Sequence, residues 1–167
     1  MDPLLDKARA GQNALEKLAN AIPGFSGYRE RDLRRDADAL QREHLAKRLE
    51  GVKGPLNEWS SQAGRSGDLE IINDIETARK RLDAAVARIR FADRGYSGFF
   101  DVVKVDDAAL ARVYEFDLSL LELVEGVYSS SADASAKSPK EKVQAVLSAL
   151  KALDGRLAER ETALRGF

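Results

Sequence analysis

The chain reads Gly24-Phe25-Ser26-Gly27-Tyr28 near its start and Gly95-Tyr96-Ser97-Gly98-Phe99 further on, a glycine, aromatic, serine, glycine, aromatic order used twice. Each of these two glycine-aromatic repeats, residues 24–28 and 95–99, follows one amphipathic helical pattern and precedes another. Successive helices of an antiparallel bundle alternate in direction, so the sequence predicts that both repeats lie at the same end of the molecule.

Two interpretations of the repeats remain open. Each repeat can be a helix C-cap and tight turn, in which the glycines supply positive φ and the aromatic rings cover the end of the core. Alternatively, the repeats can form a surface that docks a partner or binds a ligand. The binding residues would then be Phe25, Gly27, Tyr28, Tyr96, Gly98 and Phe99. A duplicated helical hairpin is a third interpretation, which the poor match outside the repeats does not favour.

The composition favours long helices. Of 167 residues, 33% are charged and 7% are aromatic, and there are four prolines. Because the apolar residues recur with a helical period, we predict an all-α fold in a single domain, residues 1–167. The predicted architecture is an antiparallel bundle of four to five helices, with up-down topology and short connections.

Local signals predict the helix boundaries. The first helix begins near Asp2 and ends at Pro23-Gly24, and the second begins at Tyr28 or Arg29. A kink or break is expected at Gly54-Pro55, followed by a short helical segment and a turn over residues 62–67. The third helix covers about residues 68–92, and its three-four apolar spacing suits coiled-coil-like packing.

Two further helices follow. The fourth takes Asp106 as its N-cap, and residues 129–138 read as a flexible linker because they are rich in serine and alanine. The fifth helix starts with a capping box, Ser138-Pro139-Lys140-Glu141, and stops at Gly166.

The second helix carries two apolar stripes that are offset by one residue. The first stripe consists of Leu33, Ala37, Leu40 and His44, and the second of Leu45, Leu49, Val52, Leu56 and Trp59. We expect both stripes to face the core.

Three charged or titratable residues interrupt the apolar stripes: His44, Arg79 and Asp117. Counted from the adjoining repeat at about 1.5 Å per residue, all three fall roughly 24–27 Å from the common end. They could therefore form one buried polar layer, with an Arg79–Asp117 ion pair extended by His44. Placement on the flank of each helix and a catalytic or ligand-binding role are the alternatives.

Familiar catalytic and metal-binding sets are missing from the sequence. One histidine and no cysteine exclude the usual zinc ligands within one chain, and no second histidine completes a ferritin-type di-iron site. Phosphate-loop and nucleophile-elbow patterns do not occur. We therefore predict a protein that is not an enzyme and that uses no metal and no cofactor.

The charge balance limits the choice of partner. The formal net charge is −1, and the arginines of residues 29–35 are interleaved with acids, which argues against nucleic acid as a partner. The N-terminus lacks the pattern of a signal peptide, and no apolar run approaches the ~20 residues of a transmembrane segment. We expect a cytoplasmic protein.

The leading functional hypothesis is a non-enzymatic helical adaptor or scaffold that acts through protein–protein contacts, with an unidentified protein partner or as a homodimer. A small-ligand-binding bundle is the first alternative, with its pocket beneath the repeats or around the polar layer. The second is a weak nucleic-acid or membrane-surface binder that uses the arginine-rich start of the second helix.

Overall fold

The computed structural model describes residues 2–91, 98–100, 102, 105–133 and 138–165, and in these residues the regular secondary structure is helical throughout. They form six α-helices: α1 (Pro3–Ala21), α2 (Arg34–Glu50), α3 (Lys53–Ser66), α4 (Leu69–Arg90), α5 (Asp107–Ala132) and α6 (Pro139–Arg165). Short 3-10 turns cover Arg31–Leu33 and Gly98–Phe100. The prediction of an all-α bundle is confirmed. None of the described helices has the length and apolar character needed to cross a bilayer.

Four helices, α2, α4, α5 and α6, surround the main core. Asp117 and Ser119 of α5 contact Arg160 and Arg156 of α6 respectively, so these two helices run antiparallel. Ion pairs of Arg48 with Glu125 and of Arg88 with Glu161 join α2 to α5 and α4 to α6. Direction alternates along the chain from α2 to α4, α5 and α6, as predicted.

The core consists largely of the predicted stripes. Buried apolar residues of α4, α5 and α6 recur at three- and four-residue spacing, and their cluster is continuous across the helices. It includes Ile75, Leu82, Val86 and Ile89 of α4, Leu110, Val113, Leu120, Val124 and Val127 of α5, and Val143, Val146, Leu150, Leu153 and Leu157 of α6.

Helix α1 packs against α5 through small residues. Asp2 caps its N-terminus, with its side chain accepting from the Leu4 N–H. Gly11 lies so close to Ala111 that a Cβ at residue 11 would be 2.3 Å from the Ala111 Cβ. The approach of the two backbones therefore depends on the missing side chain.

Replacing Gly11 with alanine should lower the free energy of unfolding by roughly 1–3 kcal/mol, because the new methyl group overlaps Ala111 and separates the helices. Gly126 and Gly155 are matched controls, since both are helical and a Cβ at either meets nothing within 4 Å. Alanine there should stabilise by about 0.5–1 kcal/mol. Urea titration measures all three; equal gains at the three sites would contradict the close approach.

The second helical pattern differs from its prediction. α2 begins at Arg34 rather than at Tyr28 or Arg29, because residues 22–30 form a loop anchored in the core. The break falls at Gly51-Val52, and the Gly54-Pro55 pair lies inside the first turn of α3, where proline is tolerated.

Two other predicted boundaries are displaced. α3 continues to Ser66 because Ala63 packs in the core, so the turn predicted over residues 62–67 reduces to Gly67 at φ 74°. α5 extends through Ala132, so the predicted linker starts several residues too early. The predicted Asp106 N-cap and the Ser138 cap of α6 are confirmed, and α4 starts as predicted, with Asp68 as its N-cap. The predicted stop at Gly166 and residues 134–137 of the linker lie outside the described residues.

Candidate functional site

The described parts of the two glycine-aromatic repeats meet at one end of the bundle. The Tyr28 ring lies 5.4 Å from the Phe25 ring and 5.3 Å from the Phe99 ring, both edge to face. Gly98 begins a 3-10 turn, and Tyr96 lies outside the described residues. The repeats therefore share one end, as connectivity predicts.

These aromatic side chains belong to the core and do not form an exposed surface. Phe25, Tyr28 and Phe99 are at most 4% exposed. Gly27 has φ 101° and faces the Tyr114 hydroxyl, where a Cβ would come within 2.6 Å of the oxygen. The geometry matches a cap over the end of the core, and it removes the exposed aromatic surface that the docking interpretation requires.

The buried Arg34 guanidinium joins the two repeats. Its Nε donates to the Tyr28 carbonyl at 2.7 Å, and its Nη1 donates to the Phe99 carbonyl at 3.2 Å and the Val102 carbonyl at 2.6 Å. The Tyr28 N–H in turn donates to the Tyr114 hydroxyl. Arg34 therefore satisfies backbone acceptors that no helix supplies with a donor.

Beneath the aromatic rings lies a buried polar cluster formed by Tyr28, Asp38, Gln41, Arg42, Asp117 and Arg160. Asp117 is fully buried, and its two oxygens accept from the Tyr28 hydroxyl at 2.5 Å and from Arg160 Nε at 2.6 Å. Arg160 Nη2 also donates to Asp38, whose other oxygen accepts from Arg42 Nε at 2.8 Å. Two carboxylates thus face two guanidinium groups, and the formal charges cancel.

The burial of the cluster changes its proton affinities. Burial, followed by the charge of Asp117, raises the pKa of the Tyr28 hydroxyl well above its ordinary value. Burial lowers the pKa of Arg160, but Asp117 and Asp38 outweigh that effect and raise it well above normal. Burial also raises the pKa of Tyr114. Both tyrosines are therefore neutral and Arg160 is charged at neutral pH.

The stability of the protein should consequently fall as the pH rises above about 10. Unfolded tyrosines lose their protons near that value, whereas folded Tyr28 and Tyr114 retain theirs, so the unfolded state binds fewer protons. Each group contributes a slope of up to about 1.4 kcal/mol per pH unit. Urea titrations from pH 8 upward should show a shallower decline for Tyr28→Phe than for the wild type. Phe25→Leu, a nearby change without a titrating group, should leave the slope unchanged, and equal slopes in all three proteins would contradict the prediction.

The structure does not bring His44, Arg79 and Asp117 into one layer. Arg79 pairs with Glu76 and Asn57 at the edge of α4, and half-buried His44 lies near Glu125, with its pKa lowered by burial. The partner of Asp117 is Arg160. For His44 the predicted height was wrong because residues 29–33, between the first repeat and α2, are not α-helical and do not add 1.5 Å each.

Sequence reasoning missed Arg34, Asp38, Arg42 and Arg160. Arg160 could have been found from the sequence. It lies between Leu157 and Leu164 at a position where the apolar stripe of α6 would otherwise continue. The buried polar residues of α2 interrupt no apolar stripe. Their spacing is the spacing expected for the exposed polar face of an amphipathic helix.

The first half of α2 is inverted relative to its prediction: the face predicted to be exposed is buried, and the leucines predicted to be buried are exposed. Arg34 and Gln41 are each 1% exposed, whereas Leu33 is 52% and Leu40 is 38% exposed. We define the outer stripe as Leu33, Ala37, Leu40 and His44. Leu33 and Leu40 face outward because the Tyr28 carbonyl and Arg160 bind polar side chains on the inner side of α2. Ala37 and His44 are half-buried at the edge, and Ala37 packs against the core. The second predicted stripe, from Leu45 to Trp59, is buried.

The exposed arginines, the cavities and the acidic side chains were also compared with what a phosphate, ligand or metal site would need. Arg34 is buried, Arg35 stacks over Phe100, and Arg29 pairs with Asp107, so these arginines have partners within the chain. A cavity of about 250 Å³ lies beside Arg35, Asp38 and Phe100. Within the described ranges, no three His, Asp or Glu side chains cluster as metal ligands would.

Comparison with protein families, characterised proteins and solved structures finds no match to this chain.

Proposed function

We propose that this protein is a non-enzymatic helical adaptor or scaffold that binds a helical segment of a partner protein along the outer stripe of α2. The inversion of α2 carries the proposal: Arg34 and Gln41 are buried, whereas Leu33 and Leu40 leave apolar surface exposed to solvent. Contiguous exposed apolar residues are typical of interaction sites.

The spacing of the outer stripe supports a helical partner. Leu33, Ala37, Leu40 and His44 recur at intervals of four, three and four residues and span about 16 Å along α2. Recognition of one helix by another uses anchors with this period. A partner helix can therefore align its own apolar stripe with this one.

The charges around Leu33 are mixed. Glu30, Asp32 and Asp36 are exposed, and none forms an ion pair with another residue that the structure describes. Arg29, Arg31 and Arg35 are exposed beside them, with Arg29 paired to Asp107 and Arg35 stacked over Phe100. Charged residues of either sign on the partner helix can therefore pair beside the apolar stripe and orient the complex.

A photo-crosslinking amino acid at residue 40, with residue 69 as control, tests the proposal in cells. Leu69 is 78% exposed at the start of α4, so both sites present an accessible leucine position. We expect adducts from residue 40 only, mapping to an amphipathic helical segment of the partner. A synthetic peptide of that segment should bind the wild type and Leu69→Asp equally, and Leu33→Asp at least about tenfold more weakly.

Three outcomes would overturn the proposal. Equal adducts at residues 40 and 69 would show that the outer stripe is not selective, and no adduct at either would leave it without a partner. An adduct to a second copy of the chain, with a dimer in light scattering, would replace the partner helix with self-association.

A further inference from the structure

A small, partly open cavity of about 30 Å³ lies between α2, α4, α5 and α6, next to the buried polar cluster. Leucine and isoleucine side chains form part of its wall, and Gln41, Arg88, Arg160 and Glu161 supply polar groups. One water molecule needs roughly 10–15 Å³ of such space and two to four polar partners. The cavity meets both conditions.

Gln41 contributes an unsatisfied donor to this wall. Its side chain is 1% exposed, and its Nε2 has no hydrogen-bond partner among the described residues. Its Oε1 accepts from Arg160 Nη2 at 3.3 Å. A buried amide donor without a partner destabilises a fold, so native proteins supply a partner, often a buried water.

We propose that the cavity binds one ordered water molecule, which accepts a hydrogen bond from Gln41 Nε2. Glu161, Arg88 and Arg160 lie in the same wall and can supply the other polar partners. It completes the hydrogen bonding of the polar cluster where α2 faces α4 and α6. The water is a structural ligand, because its hydrogen bonds stabilise the first half of α2 with Gln41 buried.

The orientation of the amide supports this donor. Reversing the Gln41 side chain would bring its NH₂ group against Arg160 Nη2, a donor against a donor. The Tyr28 hydroxyl, 3.0 Å from Gln41 Oε1, has a single proton, and Asp117 is the nearer acceptor at 2.5 Å. The Arg160 contact therefore selects the orientation that leaves Nε2 to the water.

A high-resolution crystal structure of the full chain tests the proposal, with crystals soaked in bromide as a second arm. We expect a density peak about 2.7–3.2 Å from Gln41 Nε2 and no anomalous bromide signal there. In solution, the Gln41 side-chain amide should give a direct water NOE of long residence, whereas the exposed Gln12 amide should not. Gln41→Met, which removes the donor and fills the cavity, should lose the peak.

The proposal would be overturned by a cavity without density, by a bromide peak that identifies an anion site, or by Nε2 bonded directly to a protein group. Because the decisive measurements use the wild-type chain, a variant that fails to fold does not affect the result. The outcome is also independent of whether the outer stripe binds a partner.

Discussion

Replacing Asp117 with alanine should lower the free energy of unfolding by about 3–5 kcal/mol, because Arg160 then remains as a buried cation with only one carboxylate. The Tyr28 hydroxyl loses its 2.5 Å acceptor in the same step. Removing one member of a buried ion pair destabilises a protein more than the pair itself stabilises it, since the remaining charge is desolvated without compensation. Guanidinium chloride titration of the wild type and the variant measures this difference.

Asp107→Ala is the matched control. Asp107 also pairs with an arginine, Arg29, but its side chain is 76% exposed, so the change should fall within about 0.5 kcal/mol of the wild type. The double variant Asp117→Leu, Arg160→Met should recover part of the stability, because apolar groups of similar volume can replace a buried pair. A loss below about 0.5 kcal/mol for Asp117→Ala would contradict the buried polar cluster.

Replacing Arg34 with alanine should lower the free energy of unfolding by about 3 kcal/mol or more. The change removes three hydrogen bonds from a charged donor, to the carbonyls of Tyr28, Phe99 and Val102, and hydrogen bonds to charged groups are worth about 1.5–3 kcal/mol each. Because the guanidinium joins residues 28 and 99, we expect the aromatic end to open first. Hydrogen exchange of the Tyr28 amide, which donates to the Tyr114 hydroxyl, should accelerate more than exchange in α6.

Arg34→Lys separates hydrogen-bond geometry from charge. An ammonium group retains the charge but does not reproduce the planar fork that contacts three carbonyls, so it should restore only part of the lost stability. Arg31→Ala removes a neighbouring exposed arginine and should change stability by less than about 0.5 kcal/mol. Wild-type stability in Arg34→Lys would contradict a role that depends on the fork.

Much of the fold could be predicted because helical periodicity and capping are local signals. Asp68, Asp106 and Ser138 mark helix starts in a way that depends on their own neighbours, and the structure has helices that begin there. The start of α2 could not be predicted in the same way. Residues 22–30 stay non-helical because tertiary contacts bury Ile22, Phe25 and Tyr28.

The site was predicted only in part. Asp117 stood out because it interrupts an apolar stripe, and it is fully buried. Its partner did not stand out, since Arg79 and Arg160 both occupy stripe positions and only the arrangement of helices brings Arg160 to it. Counting helical rise from residue 28 also misplaced His44, because residues 29–33 are not part of an α-helix.

The sequence by itself determined that this chain is a helical bundle, where most helices begin, and that its two glycine-aromatic repeats share an end, because these follow from local periodicity, capping and connectivity. Only the tertiary structure decided which face of α2 is buried. Leu33 and Leu40 are more apolar than Arg34 and Gln41, yet the polar side chains lie inside because loop carbonyls and Arg160 satisfy them there. The hydrogen-bond partners that make this burial possible come from residues distant in sequence. The apolar periodicity of one helix therefore cannot predict it.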